Sequence, residues 1–275
     1  MRGYDFFLQG DMMSTVTPLE QEMMAKIEAG QPLEKPEEMT EEYKGHLLHL
    51  MLMQADSELS GGYGYVPWVM KAPSVEEKLI VANIVKDEIR HAKAMYGLLD
   101  DLGFDVQAHI DAQQLDFRLD SGMDDIGTER LKDDKRVNIF YYPIETWTDF
   151  VMFNFCMDRG AGHQLEDALT CSYGPWRRVV EGIFKEEVVH IGHGEMWVRR
   201  LAENPSTREE CQETLNKWYL RTMNIFGRPG SRRNAAYQKL GLKKRDNDEV
   251  RQAFHKEVKA FCDKVGVTLP AWTPA

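Results

Sequence analysis

Glu88-Ile89-Arg90-His91 and Glu187-Val188-Val189-His190 repeat one spacing, a carboxylate followed three residues later by an imidazole. On an α-helix that separation puts both side chains on the same face. Carboxylate oxygen and imidazole nitrogen together suit divalent iron. Two Glu-x-x-His pairs from two helices, with one more carboxylate from each of two others, form the ligand set of a paired metal centre inside a four-helix bundle. Glu58 and Asp158 are the candidates for those further carboxylates. Such a centre points to chemistry on dioxygen.

The faces these residues occupy separate that reading from an ordinary charged helix surface. Charged side chains normally lie on the wet face of a helix. Here they interrupt apolar stripes. One stripe runs Leu48, Met51, Ala55 to Glu58. A second runs Val81, Ile84, Val85 to Glu88 and His91, then Ala92, Met95 and Leu99. A third runs Trp147, Phe150, Val151, Asn154 to Asp158, then Gly162 and Leu165. A fourth runs Val180, Ile183, Phe184 to Glu187, His190 and Ile191, then Gly194, Trp197 and Leu201. A carboxylate buried without a partner costs several kcal/mol. Two divalent irons match the charge of four carboxylates while both histidines stay neutral. The plain alternative is a buried polar network without metal. Asp87 and Glu186 flank the motifs and are either hydrogen-bond partners of the histidines or surface charges. His163 and His193 read as supporting or surface residues rather than ligands. Trp147, Phe150, Phe155 and Phe184 either wall a substrate cavity or pack as core.

The elements that must carry these residues are helices. Residues 1–39, broken by Pro18, Pro32 and Pro36, read as an arm with short helices. Thr40-Glu41-Glu42 starts a helix expected to stop near Ser60, before Gly61, Gly62 and Gly64. Ser74 caps the next, which runs to Leu102 and ends at Gly103. Residues 104–143 form a long crossover. A third helix is expected from Pro143 to Cys171, and a fourth from Pro175 to Glu203. Residues 205–275 are a helical extension: one helix from Pro205-Ser206 to Phe226-Gly227, a basic, glycine-punctuated stretch over 228–245, and a last helix over 247–265. The bundle spans 40–204, and no strand is expected.

Composition limits the function classes. The 275 residues carry a formal net charge of −11, which argues against a nucleic-acid-binding surface. The four cysteines, Cys156, Cys171, Cys211 and Cys262, match no zinc spacing and suit a reduced, cytoplasmic chain. No apolar run reaches the roughly 18 residues of a membrane span. Met1 to Met13 lacks the apolar core of a signal peptide.

Several longer stretches carry a resemblance. They are Asp87-Glu88-Ile89-Arg90-His91, Asn138-Ile139-Phe140-Tyr141-Tyr142-Pro143, Asp158-Arg159-Gly160-Ala161, and Cys171-Ser172-Tyr173-Gly174-Pro175 followed by Lys185-Glu186-Glu187-x-x-His190. Over residues 40–265 the chain resembles the catalytic subunits of the phenylacetyl-CoA 1,2-epoxidase family, ring-epoxidising oxygenases of aerobic phenylacetate breakdown. The resemblance implies an all-α, ferritin-like four-helix bundle with a long crossover and added C-terminal helices. It places Glu58, Glu88 with His91, Asp158, and Glu187 with His190 on the ligands of two iron ions. It implies O2 as co-substrate and NADPH supplied through a flavin and iron–sulfur reductase. A small further partner is also implied, beside a related, metal-free ferritin-like subunit. The substrate would be an aryl-CoA thioester, phenylacetyl-CoA going to its 1,2-epoxide. Residues before 40 match nothing in the family, and Arg228 to Arg245 departs from it in detail.

Coenzyme A brings phosphate charge, and the acidic chain has a local answer to it. Arg228, Arg232, Arg233, Lys239, Lys243, Lys244 and Arg245 follow one another with no acid until Asp246. Lys243, Lys244 and Arg245 are therefore candidate phosphate ligands. Lys135, which the family match places near the thioester arm, joins them. A solvated loop is the plain alternative. Rival functions on the same bundle are a di-iron oxygenase for another aryl-CoA or a natural-product precursor, a ferroxidase, and a scaffold subunit, which should lack the ligands.

Overall fold

The computed structural model describes residues 16–129 and 134–273. The expected absence of an export signal over Met1 to Met13 lies outside them, as does the first part of the arm. All regular elements among the described residues are helical, apart from a single parallel β-bridge between Leu33 and Tyr173. Among the described residues, no helix is long and apolar enough to cross a membrane.

Four long helical stretches form the bundle: α2 (Glu41–Lys71), α3 (Val75–Asp101), the run from Trp147 to Ala168, and α7 (Gly174–Glu203). A short α1 (Pro18–Glu28) and a 3-10 turn (Pro36–Glu38) precede them. The Thr40 side chain accepts the Tyr43 amide and starts α2 where the sequence places it. The helix does not stop at Ser60. It continues through Gly61, Gly62, Gly64 and Pro67 to Lys71. None of the three glycines has positive φ. They make room instead: a Cβ on Gly61 would stand 3.0 Å from Glu88 Oε2 and 3.2 Å from the Phe140 ring, and one on Gly62 would stand 3.2 Å from Ile89. Helix α3 runs as expected from its Ser74 cap, and Gly103 turns the chain at φ 79°.

The crossover carries α4 (Val106–Ala112) and a 3-10 turn (Asn138–Tyr141). Arg136 pins it. Its buried guanidinium donates to Ser60 Oγ, Leu115 O and Phe117 O and lies over the Tyr141 ring. The third bundle stretch begins at the Thr146–Asp149 capping box, four residues later than Pro143 suggests. It comprises α5 (Trp147–Phe153), a π-helical turn (Asn154–Asp158) and α6 (Arg159–Ala168). Beyond α7 come α8 (Arg208–Met223), α9 (Arg232–Lys239) and α10 (Asn247–Val265). Helix α9 forms inside the basic stretch, and Gly230 and Gly241, both with positive φ, bracket the helix.

Two apolar clusters hold the fold. One gathers Tyr65 and Trp68 of α2, Ile84, Phe150, Phe153, Phe155, Val198, and the buried faces of α8 and α10. The other gathers Leu47, Met51 and Ala55 of α2, Ala92, Met95 and Leu99, Leu165, Val180 and Ile183, with Tyr237 of α9. Each of the four bundle stretches leaves one cluster and enters the other at its acid. Glu58, Glu88, Asp158 and Glu187 thus form a polar layer between two dry cores.

Candidate metal centre

Five of the six predicted ligands converge as two clusters that share a member. Glu58, His91 and Glu187 bring one ligand atom each within 4.8 Å of one another, and so do Glu88, Glu187 and His190. His91 Nδ1 stands 3.3 Å from Glu58 Oε2 and 3.2 Å from Glu187 Oε1. His190 Nδ1 stands 3.4 Å from both Glu88 Oε1 and Glu187 Oε2. All five are buried.

The outward nitrogens are held from behind. His91 Nε2 lies 2.7 Å from Glu186 Oε2. Arg90 donates to Glu186 at 2.6 Å and to Asp87 at 3.0 Å. Asp87 Oδ2 is 3.8 Å from His190 Nε2. One arginine therefore ties the partners of both histidines together. A carboxylate on Nε2–H leaves the Nδ1 lone pair pointing inward, the tautomer a metal requires. Glu187 Oε1 and His190 Nδ1 are buried and take no hydrogen bond despite their short ionic contacts. Inward donor atoms, orphaned polar atoms and a carboxylate common to both clusters fit a pair of metal ions.

Asp158 lies outside both three-residue clusters. It lines the same small space as Glu58, Glu88 and Glu187. Tyr65 Oη donates to its Oδ1 at 3.2 Å, and Asn154 Nδ2 donates to Oδ2. Asn154 Oδ1 meets His193 Nδ1 at 3.1 Å, and His193 Nε2 meets Glu77 at 2.9 Å. Asn154 and Asp158 share a face because they bound the π turn. His193 is a buried support for Asp158, reached through Asn154.

Without metal the site holds protons. Burial pushes Glu58 up to about 8, with Glu88 and Glu187 adding to the rise against the His91 hydrogen bond. Asp158 is raised well above the carboxylate range by burial and the same two charges. Burial would lower His91 and His190, but the close contacts of each with the Glu187 carboxylate and with that of Glu58 or Glu88 outweigh it and hold them near 11 and 12. Burial would raise Glu187, yet the two imidazoles keep it down at about 2. A metal must displace the protons on Nδ1 and on the carboxyls. Loading is expected to release roughly two to four protons per chain and to weaken steeply as pH falls below about 8, where Glu58 joins the protonated groups. Calorimetry in buffers of different ionisation enthalpy checks this; a heat independent of buffer would contradict it.

Of the two readings open for Trp147, Phe150 and Phe155, core packing is the one the structure shows, and other residues wall the acids. Tyr65, Phe140, Phe153 and Met157 line the space beside the acids. Trp147 and Phe150 stack at 4.8 Å within the core, and Phe155 packs on Phe261. Phe184 lines a separate cavity with His163 and Glu187. Phe140 sits on a 3-10 turn, where no helical periodicity marks it.

A larger cleft of about 490 Å³ opens against α2, between the start of α7 and α9. Arg232, Arg233 and Lys243 line it, and Arg233 also meets His49. Trp176 Nε1 and Asn234 Oδ1, on two of its lining residues, are buried without a hydrogen-bond partner. Burial lowers the Lys243 pKa. Lys244 is exposed, outside the lining. Arg245 is committed elsewhere, to Asp167 and Glu166 at 3.1 Å and to the His163 carbonyl. Lys135 precedes the buried Arg136 and is not among the lining residues.

Comparison with known proteins follows the same lines. Residues 13–275 match the sequence pattern of the phenylacetic acid catabolic protein family, so the match takes in residues 13–39, which the resemblance read from the sequence leaves outside. The chain belongs to that family. It is 26% identical over 244 residues to the A subunit of the 1,2-phenylacetyl-CoA epoxidase of Escherichia coli (strain K12), covering 86% of this chain and 73% of that one. It is 25% identical over 240 residues to component B of the benzoyl-CoA oxygenase of Aromatoleum evansii, covering 80% of this chain and about half (49%) of that protein. The family's ferritin-like, all-helical architecture is the one described above, and the chain is an oxidoreductase of the oxygenase class.

Proposed function

We propose that this chain is the catalytic subunit of a two-iron oxygenase acting on an aryl-CoA thioester, with phenylacetyl-CoA as substrate and its 1,2-epoxide as product. The observation that carries the reading is the pairing of a buried Glu/His cluster with a basic cleft beside it. Glu58, His91 and Glu187 would hold one iron, and Glu88, His190 and Glu187 the other, with Asp158 completing the set. When bound, the irons supply the reduction of dioxygen that puts one oxygen atom into the ring and releases the other as water.

The chain's own residues do the rest. Glu186 and Asp87, joined by Arg90, orient the imidazoles. Tyr65, Phe140, Phe153 and Met157 keep the space beside the acids dry. Arg232, Arg233 and Lys243 take the phosphates, and the unpartnered Trp176 Nε1 and Asn234 Oδ1 offer a donor and an acceptor to the rest of the coenzyme. A ferroxidase has no use for such a cleft. A second aryl-CoA substrate is the competing reading, supported by the likeness to the benzoyl-CoA enzyme component. The electron source would be a separate NADPH-fed flavin and iron–sulfur reductase. A related metal-free subunit would complete a cytoplasmic complex, since the names of the two relatives mark each as one part of a larger enzyme.

The test is anaerobic loading with ferrous iron followed by calorimetric titration with phenylacetyl-CoA, benzoyl-CoA and free coenzyme A. Two irons per chain and a preference for phenylacetyl-CoA are expected. Replacing Arg232, Arg233 and Lys243 together with alanine should weaken acyl-CoA binding about 100-fold and leave iron content unchanged. Arg245→Ala should leave affinity near that of the wild type, because its guanidinium serves Asp167. Unchanged affinity in the triple variant would remove the phosphates from this cleft.

A further inference from the structure

The space beside the carboxylates is too small for an aromatic ring. It measures about 20 Å³, room for about one water, whereas a cavity that takes up benzene measures about 150 Å³. The basic cleft next to it measures about 490 Å³. One residue, Gln54, lines both, and no other lining residue is common to the two. Gln54 stands one turn before Glu58 on α2. The residue is 9% exposed, and its Nε2 donates to Gln164 Oε1 at 3.1 Å. Gln164 lies on α6 one turn after Ala161, another residue of the small space. Its own Nε2 donates to the Ile225 carbonyl at 3.3 Å. Gln164 and Ile225 both line the cleft. A bar of two amides thus crosses from α2 to the α8–α9 connection and partitions cleft from metal site.

We infer that the Gln54–Gln164 pair is the gate through which the acyl end of the substrate reaches the carboxylates, and that a ring-bearing thioester opens it while coenzyme A alone does not. The bar is made of neutral hydrogen bonds, which are individually weak in net terms and therefore able to open. Both side chains have rotatable stems, unlike the Phe140 and Phe153 rings packed behind the site. The inference rests on the aryl-CoA reading for its ligand, but the partition itself belongs to the protein alone.

Two variants and two readouts test it in the full chain. In Gln54→Ala and in the milder Gln164→Leu, affinity for phenylacetyl-CoA should rise relative to free coenzyme A by roughly three- to tenfold, since the wild type breaks a neutral hydrogen bond that the variants lack. Independently, 1,10-phenanthroline should strip ferrous iron from either variant at least about fivefold faster than from the wild type. If both variants keep the wild-type affinity ratio and stripping rate, the gate is overturned. If neither wild type nor variants bind any coenzyme A thioester, the substrate reading fails, and the stripping rate alone decides the gate: faster upholds it, unchanged overturns it.

Discussion

A Glu187→Ala chain is expected to lose both metal ions, whereas Glu58→Ala loses one. Glu187 is the residue common to the two clusters, with Oε1 3.2 Å from His91 Nδ1 and Oε2 3.4 Å from His190 Nδ1. Glu58 belongs to the His91 cluster only. Removing a residue that merely orients a ligand typically costs 10- to 100-fold in affinity or activity. A shared ligand should cost more, about 1,000-fold or beyond in oxygenase turnover. Glu186→Ala is the calibrating variant. Its carboxylate touches the outer nitrogen of His91 and not the inner one, so a loss within that 10- to 100-fold range is expected. Iron per chain, measured after anaerobic loading and desalting, separates the three variants, with far-ultraviolet circular dichroism showing that each remains helical. Two retained irons in Glu187→Ala would refute the shared-ligand arrangement.

The parts of this centre that local pattern controls are legible in the amino-acid sequence. The Glu-x-x-His spacing and the stripes around it follow the helical period, and Glu58 falls on its stripe by the same rule. The Ser74 cap, the Gly103 stop and the spans of α7 and α10 also depend on a few adjacent residues. Features decided by distant neighbours are not legible there. Gly61 and Gly62 look like a helix stop until Glu88, Ile89 and Phe140 are seen pressing on them. Arg245 looks like a free cation until Asp167, 78 positions away in sequence, is found against it. Asp158 falls on its stripe, but the π turn that carries it leaves no mark there. The Gln54–Gln164 bar joins two unremarkable polar residues whose meaning lies in the two cavities they separate.

Gly194→Ala should destabilise the chain by about 1–3 kcal/mol, and Gly194→Val by more. The usual rule runs the other way, since alanine for glycine within an exposed helix gains about 1 kcal/mol. Gly182, on the same helix α7, obeys that rule: a Cβ there meets nothing within 4 Å. A Cβ on Gly194 would lie 2.7 Å from both N and Cα of Phe155. Those are backbone atoms of the π turn, and they cannot rotate away as a side chain could. Phe155 is itself fixed in the core, fully buried, with its ring 4.8 Å from that of Phe261. The two backbones must therefore separate. Separation moves the Asn154–Asp158 turn relative to the helix that carries Glu187 and His190. Asp158 would be drawn from its place beside the other acids, so iron affinity should fall together with stability. Urea unfolding of Gly182→Ala, Gly194→Ala and Gly194→Val, each with and without metal, measures both effects. The close approach of α7 to the π turn is refuted if Gly194→Ala unfolds at the same urea concentration as Gly182→Ala. If Gly194→Ala is weakened but binds iron as the wild type does, the contact supports the fold without setting Asp158.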